Sequence, residues 1–200
     1  MMLQKLNRTL FGAMLIAGAL GVASQAHALN LDPSLATWTT SSTNNLNQAD
    51  VEAIVGVSPL GLVYKQDFGG GESGNGAAYY TTSFITDPTN NPLDTSDASG
   101  ATITWDGPLK ISCPSCFLVV KDGNHPDPNY IFDISGWNGT DTINLSGFWP
   151  GPGAISNIAI WNNADGGGGG GGSLVPEPET YAMLLAGLGL VGFAARRKLS

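Results

Sequence analysis

Cys113-Pro114-Ser115-Cys116 is the sharpest chemical feature of the chain, and its two cysteines are the only ones in 200 residues. Two thiols at this spacing can close a disulfide, supply part of a zinc site, or cycle between dithiol and disulfide. The disulfide is the expected reading. A redox cysteine needs a helix N-terminus in a βαβ setting, and nothing around this pair supplies one. Zinc could recruit His125 and Asp127, but structural zinc sites use four nitrogen or sulfur ligands and this group offers three. Because the loop is so small, such a disulfide would stabilise at the low end of the usual ~2–4 kcal/mol.

The stretch from Asp122 to Asn129, DGNHPDPN, is dense in oxygen ligands of the kind Ca2+ takes six to eight at a time. Its spacing is not that of an EF-hand, and no glutamate stands where a bidentate ligand is needed. Asx and proline residues also build ordinary turns by bonding their own backbone, so a turn is expected, with Ca2+ the minority alternative and no other cofactor or metal. A Ser-His-Asp hydrolase would have to use His125, yet no G-x-S-x-G elbow accompanies it. Asp133 and Asp141 lie near aromatic residues and could form a glycosidase pair, but chain spacing does not set the carboxylate separation that such chemistry requires. No catalytic residue is assigned, and the chain is read as a non-enzyme.

Aromatic residues carry the binding hypothesis. Trp105, Trp137, Trp149 and Trp161, with Tyr79, Tyr80 and Tyr130, fall on or beside expected strands. Trp137 and Trp149 sit in glycine-containing loops beside Asn138 and Pro150. They are the pair expected to be exposed and able to stack on the C–H faces of a sugar. The competing expectation is that these rings fill the core, where large aromatics supply much of the buried area.

The elements that must position these residues are mostly strands. Short apolar or alternating runs at 62–68, 78–86, 101–106, 116–121, 130–135, 142–149 and 155–161 are separated by Gly, Pro, Asn and Asp. In TINLSGFW, Ile143 and Leu145 share one face, with Thr142, Asn144 and Ser146 on the other. CFLVV has no alternation, which predicts a strand covered on both sides. One helix is expected, at 50–57, with Asp50 as its cap. Seven short strands at this spacing favour an all-β fold, a small antiparallel β-sandwich of jelly-roll type, with a small barrel as runner-up.

Both ends read as processing segments. Lys5 and Arg8 precede an apolar run and an Ala26-His27-Ala28 site, which predicts a secretory signal peptide over 1–28, cut by signal peptidase. The domain proper is expected over 29–163, followed by a glycine-rich linker over 164–174 that contains seven consecutive glycines, Gly166 to Gly172. Residues 181–195 then form an uncharged run of about 22 Å as a helix, short against the ~30 Å hydrocarbon core. Arg196, Arg197 and Lys198 stop it, and should stay cytoplasmic. A marginal single transmembrane helix is expected.

Val175-Pro176-Glu177-Pro178, a Gly/Ala/Leu stretch and a terminal Arg-Arg-Lys closely resemble the PEP-CTERM sorting signal. The tail type is also labelled "ice-binding protein C-terminal", which denotes no activity. The resemblance covers 175–200 and implies processing by an exosortase, a membrane-embedded cysteine transpeptidase of Gram-negative bacteria that make exopolysaccharide or biofilm. Residues 116–161 are similar to the ectodomains of other small PEP-CTERM proteins, a likeness that implies fold and location but no activity.

Between Leu29 and Val175, fourteen Asp and Glu residues face three lysines, leaving eleven uncompensated negative charges. Such a surface argues against nucleic acid and anionic lipid as partners. The expected protein is an inner-membrane-anchored precursor, then a cell-surface or matrix protein with a structural or interaction role. A carbohydrate-binding module that engages exopolysaccharide is the alternative, and a secreted hydrolase ranks below it.

Overall fold

A computed structural model describes residues 27–86, 98–123, 126–148, 155–163, 174–176, 181 and 183–191. Its elements in chain order are β1 (Ala28–Leu31), β2 (Trp38–Thr40), α1 (Gln48–Val55), β3 (Leu60–Asp67), β4 (Glu72–Ser73), β5 (Tyr80–Thr86) and β6 (Ala98–Trp105). They continue with β7 (Leu109–Ile111), β8 (Cys116–Asp122), β9 (Asn129–Asp133), β10 (Thr142–Leu145), β11 (Ile155–Asn163) and β12 (Leu174–Pro176).

Two sheets face each other. One has four strands in the order β1-β10-β6-β5, the other six in the order β2-β9-β8-β11-β3-β4. Nearly all pairs are antiparallel, which agrees with the all-β expectation. The arrangement departs from a jelly roll of two four-stranded sheets: β1 runs parallel to β10, and a separate ribbon joins β7 to β12.

The core between the sheets takes Ile103, Ile143 and Leu145 from the smaller sheet and Val63, Leu118, Val120, Phe132, Ile158 and Ile160 from the larger. Alternation decides who enters. In β10 Ile143 and Leu145 are buried while Thr142 and Asn144 are partly exposed. β8 has no alternation because both of its faces are covered. Cys116, Leu118 and Val120 point into the core between the sheets, whereas Phe117 and Val119 join a second cluster on the outer face with Val51 of α1. Burying these side chains on both faces contributes about 1.5–3 kcal/mol each, before the cost of chain ordering.

The helix begins earlier than the sequence predicts. Asn47, not Asp50, is the cap, and Asp50 occupies the third helical position. Asn47 accepts from the Asp50 N–H while Asp50 accepts from the Asn47 N–H, a reciprocal box that satisfies two otherwise unpaired donors. Gly56, at φ 74°, takes the left-handed conformation that closes the helix. Glu52 then ties α1 to β3. It accepts from the Leu60 N–H at 2.7 Å, Gln48 Nε2 at 2.8 Å and Ser58 Oγ at 3.0 Å. The Leu60 N–H, then the Gln48 side chain, hold its carboxyl below the usual glutamate range.

Candidate functional site

Cys113 and Cys116 are joined in a disulfide, with Cα atoms 5.2 Å apart. Both are buried, so the pair is shielded from redox partners and its sulfurs are not free for zinc. The disulfide closes the turn that enters β8, and hydrogen bonds tie that turn to the residues following β9. Ile134 N–H donates to the Cys116 carbonyl at 2.9 Å, Gly136 N–H to the Cys113 carbonyl at 2.8 Å, and Cys116 N–H to Ser135 Oγ at 3.2 Å.

Beside this junction opens a cavity of about 440 Å³, lined by His27, Leu29, Asp133, Ser135, Trp137 and Asp141 among others. β1, the end of β9 and the turn before β10 therefore converge on one concavity. Asp133 and Asp141, considered as a pair from the sequence, both line it. Asp133 is exposed and its Oδ1 accepts from the Ser135 N–H at 2.9 Å. His27 contributes a wall that is expected to leave with the signal peptide.

Of the two tryptophans expected to be exposed, only Trp137 falls within the described residues, and it is not exposed. Trp137 is buried at 8 % exposure, packs against Tyr80 with ring centroids 5.8 Å apart, and donates Nε1–H to the Asp141 carbonyl at 2.8 Å. It also lines the cavity. The reason for its burial is the turn that follows. Asn138 Oδ1 accepts from the N–H groups of Thr140 and Asp141, and Gly139, at φ 80°, lies against the Ile111 carbonyl with no room for a side chain. This turn folds the tryptophan inward. Trp149 lies outside the described residues. Trp161 is also buried, and Trp38 and Trp105 are partly buried.

Tyr80, one of the aromatics noted in the sequence, organises the same region from within the core. Its hydroxyl donates to the Gly139 carbonyl at 2.6 Å and accepts from the Ile111 N–H at 2.8 Å. Burial pushes its phenol well above the ordinary tyrosine range. Tyr64 plays a matching role between the sheets, with its hydroxyl 2.7 Å from Thr82 Oγ1 and donating to Glu72 Oε1 at 3.1 Å.

In the oxygen-rich loop, Asp122 and Asn129 are buried rather than presented to solvent. Asn129 Nδ2 donates to the Ser42 carbonyl at 2.6 Å, which ties the end of the loop to the segment after β2, and the Asp122 N–H donates to the Pro128 carbonyl at 2.6 Å across the loop's base. His125 lies outside the described residues. Among the described residues no group of three His, Cys, Asp or Glu side chains could hold a metal ion.

The tail has two described parts. Leu174, Val175 and Pro176 form β12, while Glu177 and Pro178 lie outside the described residues. Residue 181 and residues 183–191 are helical, with Met183, Leu185, Leu190 and Val191 all more than 65 % exposed. Among the described residues no helix is long and apolar enough to cross a membrane, and residues 182 and 192–195 of the expected span lie outside them. Arg196, Arg197 and Lys198 lie outside the described residues.

Fold and tail together define a class: a two-sheet β domain, braced by a disulfide, that carries a C-terminal sorting segment. The particular segment is identified by comparison with family models, in which residues 174–198 match the PEP-CTERM protein-sorting motif. The motif implies an exported protein targeted to and processed by an exosortase. Neither the curated proteins nor the solved structures contain a match to this chain.

Proposed function

We infer that this is an exosortase-sorted protein of the envelope or extracellular matrix of a Gram-negative bacterium, with a structural or interaction role and no catalysis. The matched sorting motif at 174–198 carries this reading. Signal peptidase removes residues 1–28, and the apolar tail holds the precursor in the inner membrane with Arg196, Arg197 and Lys198 on the cytoplasmic side. The burial of Trp137 and Trp161 supports a body that presents polar, acidic surface rather than an aromatic platform built on those two rings.

A carbohydrate-binding reading keeps one specific support, the cavity with Asp133, Asp141 and Trp137 on its wall. Retention of the processed protein on the host's own exopolysaccharide, with and without calcium, separates the two. The structural reading expects no retention beyond that of an unrelated acidic protein. Retention abolished by Asp133→Ala/Asp141→Ala would replace it with a glycan-binding role for the cavity.

A further inference from the structure

The start of the sorting motif is built into the folded body. β12 pairs antiparallel with β7, placing Leu174 opposite Ile111, Val175 opposite Lys110 and Pro176 opposite Leu109. The inner edge of β7 is already engaged: Ile111 N–H donates to the Tyr80 hydroxyl, and the Leu109 carbonyl accepts from Trp105 Nε1 at 2.8 Å. Backbone groups alternate in direction along a strand, so with Leu109 and Ile111 turned inward the N–H and C=O of Lys110 face Val175. Pro176, which has no N–H, falls opposite Leu109, where the ladder asks for no donor. Leu174 adds packing against the core between the sheets. Leu-Val-Pro thus supplies an apolar anchor, one residue with both backbone groups to pair, and a terminator.

We propose that β7 is a docking edge for the first residues of the sorting motif, and that docking of Leu174 and Val175 withholds the motif from its processing enzyme until the strand releases. The gate rests on the exosortase reading above; the dock does not. The matched motif begins at residue 174, so the docked residues belong to it. An enzyme that takes the extended segment along the edge now facing β7 pairs the same backbone groups that β7 holds, and Val175 cannot serve both at once. Cleavage then proceeds only from the undocked population.

Amide exchange of the full-length chain in detergent micelles reads the dock directly. The Val175 N–H is expected to exchange on the order of tenfold or more slowly than an unpaired amide. Lys110→Pro removes the outward donor and Leu174→Asp removes the anchor while altering only the tail strand. Both are expected to abolish that protection, and to be processed about threefold or more faster than wild type in an exosortase-bearing host. An unprotected Val175 in the wild-type chain would overturn the dock. Processing at the wild-type rate or slower in both variants, with protection lost, would overturn the gate. Normal processing of Glu177→Ala would remove the exosortase reading while leaving the exchange result standing.

Discussion

The interior between the two sheets and the tail helix at 183–191 use similar residues to opposite effect. Between the sheets, Ile, Leu and aromatic side chains are covered, and the Tyr80 hydroxyl finds partners in Gly139 and Ile111. Along the tail helix, Met183, Leu184, Leu185, Leu188, Leu190 and Val191 are exposed. The apolar surface of the body is satisfied by protein; that of the tail awaits a different solvent, which is the role assigned to the inner membrane above. β12 lies at the border, with Leu174 against the body's core and Val175 at the head of the sorting motif.

Substitutions sharpen this contrast in order of their expected effect on the body. Trp137→Ala removes a buried ring and its bond to Asp141, and thermal or denaturant unfolding should show a loss of about 3–5 kcal/mol. An unchanged midpoint would return Trp137 to the surface role that its loop sequence suggests. Tyr80→Phe keeps the ring but leaves the Ile111 N–H and Gly139 carbonyl without their shared partner, an expected loss of about 2–3 kcal/mol. Because the Ile111 bond fixes the inner edge of β7, exchange protection at Val175 should fall with it.

A smaller effect appears in acid. Glu52 has its pKa lowered in the folded chain from the ordinary 4.5, so its contribution is complete above that value and is lost as pH falls through the lowered folded value. Unfolding midpoints measured from pH 6 down to pH 3 should decline less steeply for Glu52→Gln than for wild type. Parallel declines would mean that the bonds to Leu60, Gln48 and Ser58 do not depend on the charge. Last, Leu184→Gln/Leu188→Gln should leave the body's stability within about 0.5 kcal/mol, since neither side chain packs into it. The same pair should shift the precursor out of the membrane fraction. A large stability loss would place the helix against the body instead.

Much of the body was legible because its strands carry their own patterns. CFLVV announced burial on both faces, and TINL announced one buried face; β8 and β10 match. The expected strand at 142–149 stops at Leu145, where Gly147, at φ 72°, turns the chain. β1, β2, β4, β7 and β12 had no readable pattern, being two to four residues long. They exist because a neighbour supplies the pairing: β10 for β1, β9 for β2, β3 for β4, and β7 and β12 for each other. Trp137 was misread for a related reason. Glycine and asparagine beside it mark a turn, but whether a turn presents or buries its ring depends on Tyr80, far away in sequence. The convergence of Asp133 and Asp141 on one cavity likewise follows from pairing that neither segment encodes alone.

The central claim, that the motif at 174–198 delivers this domain to an exosortase, is tested most directly by mass in an exosortase-bearing host. Wild-type chain and Glu177→Ala would be recovered from membrane and medium fractions and weighed intact. The account predicts a wild-type product that lacks the apolar tail, and a Glu177→Ala product that retains it and stays with the membrane. A wild-type chain that keeps residues 181–200, or a variant trimmed to the same mass, would contradict it.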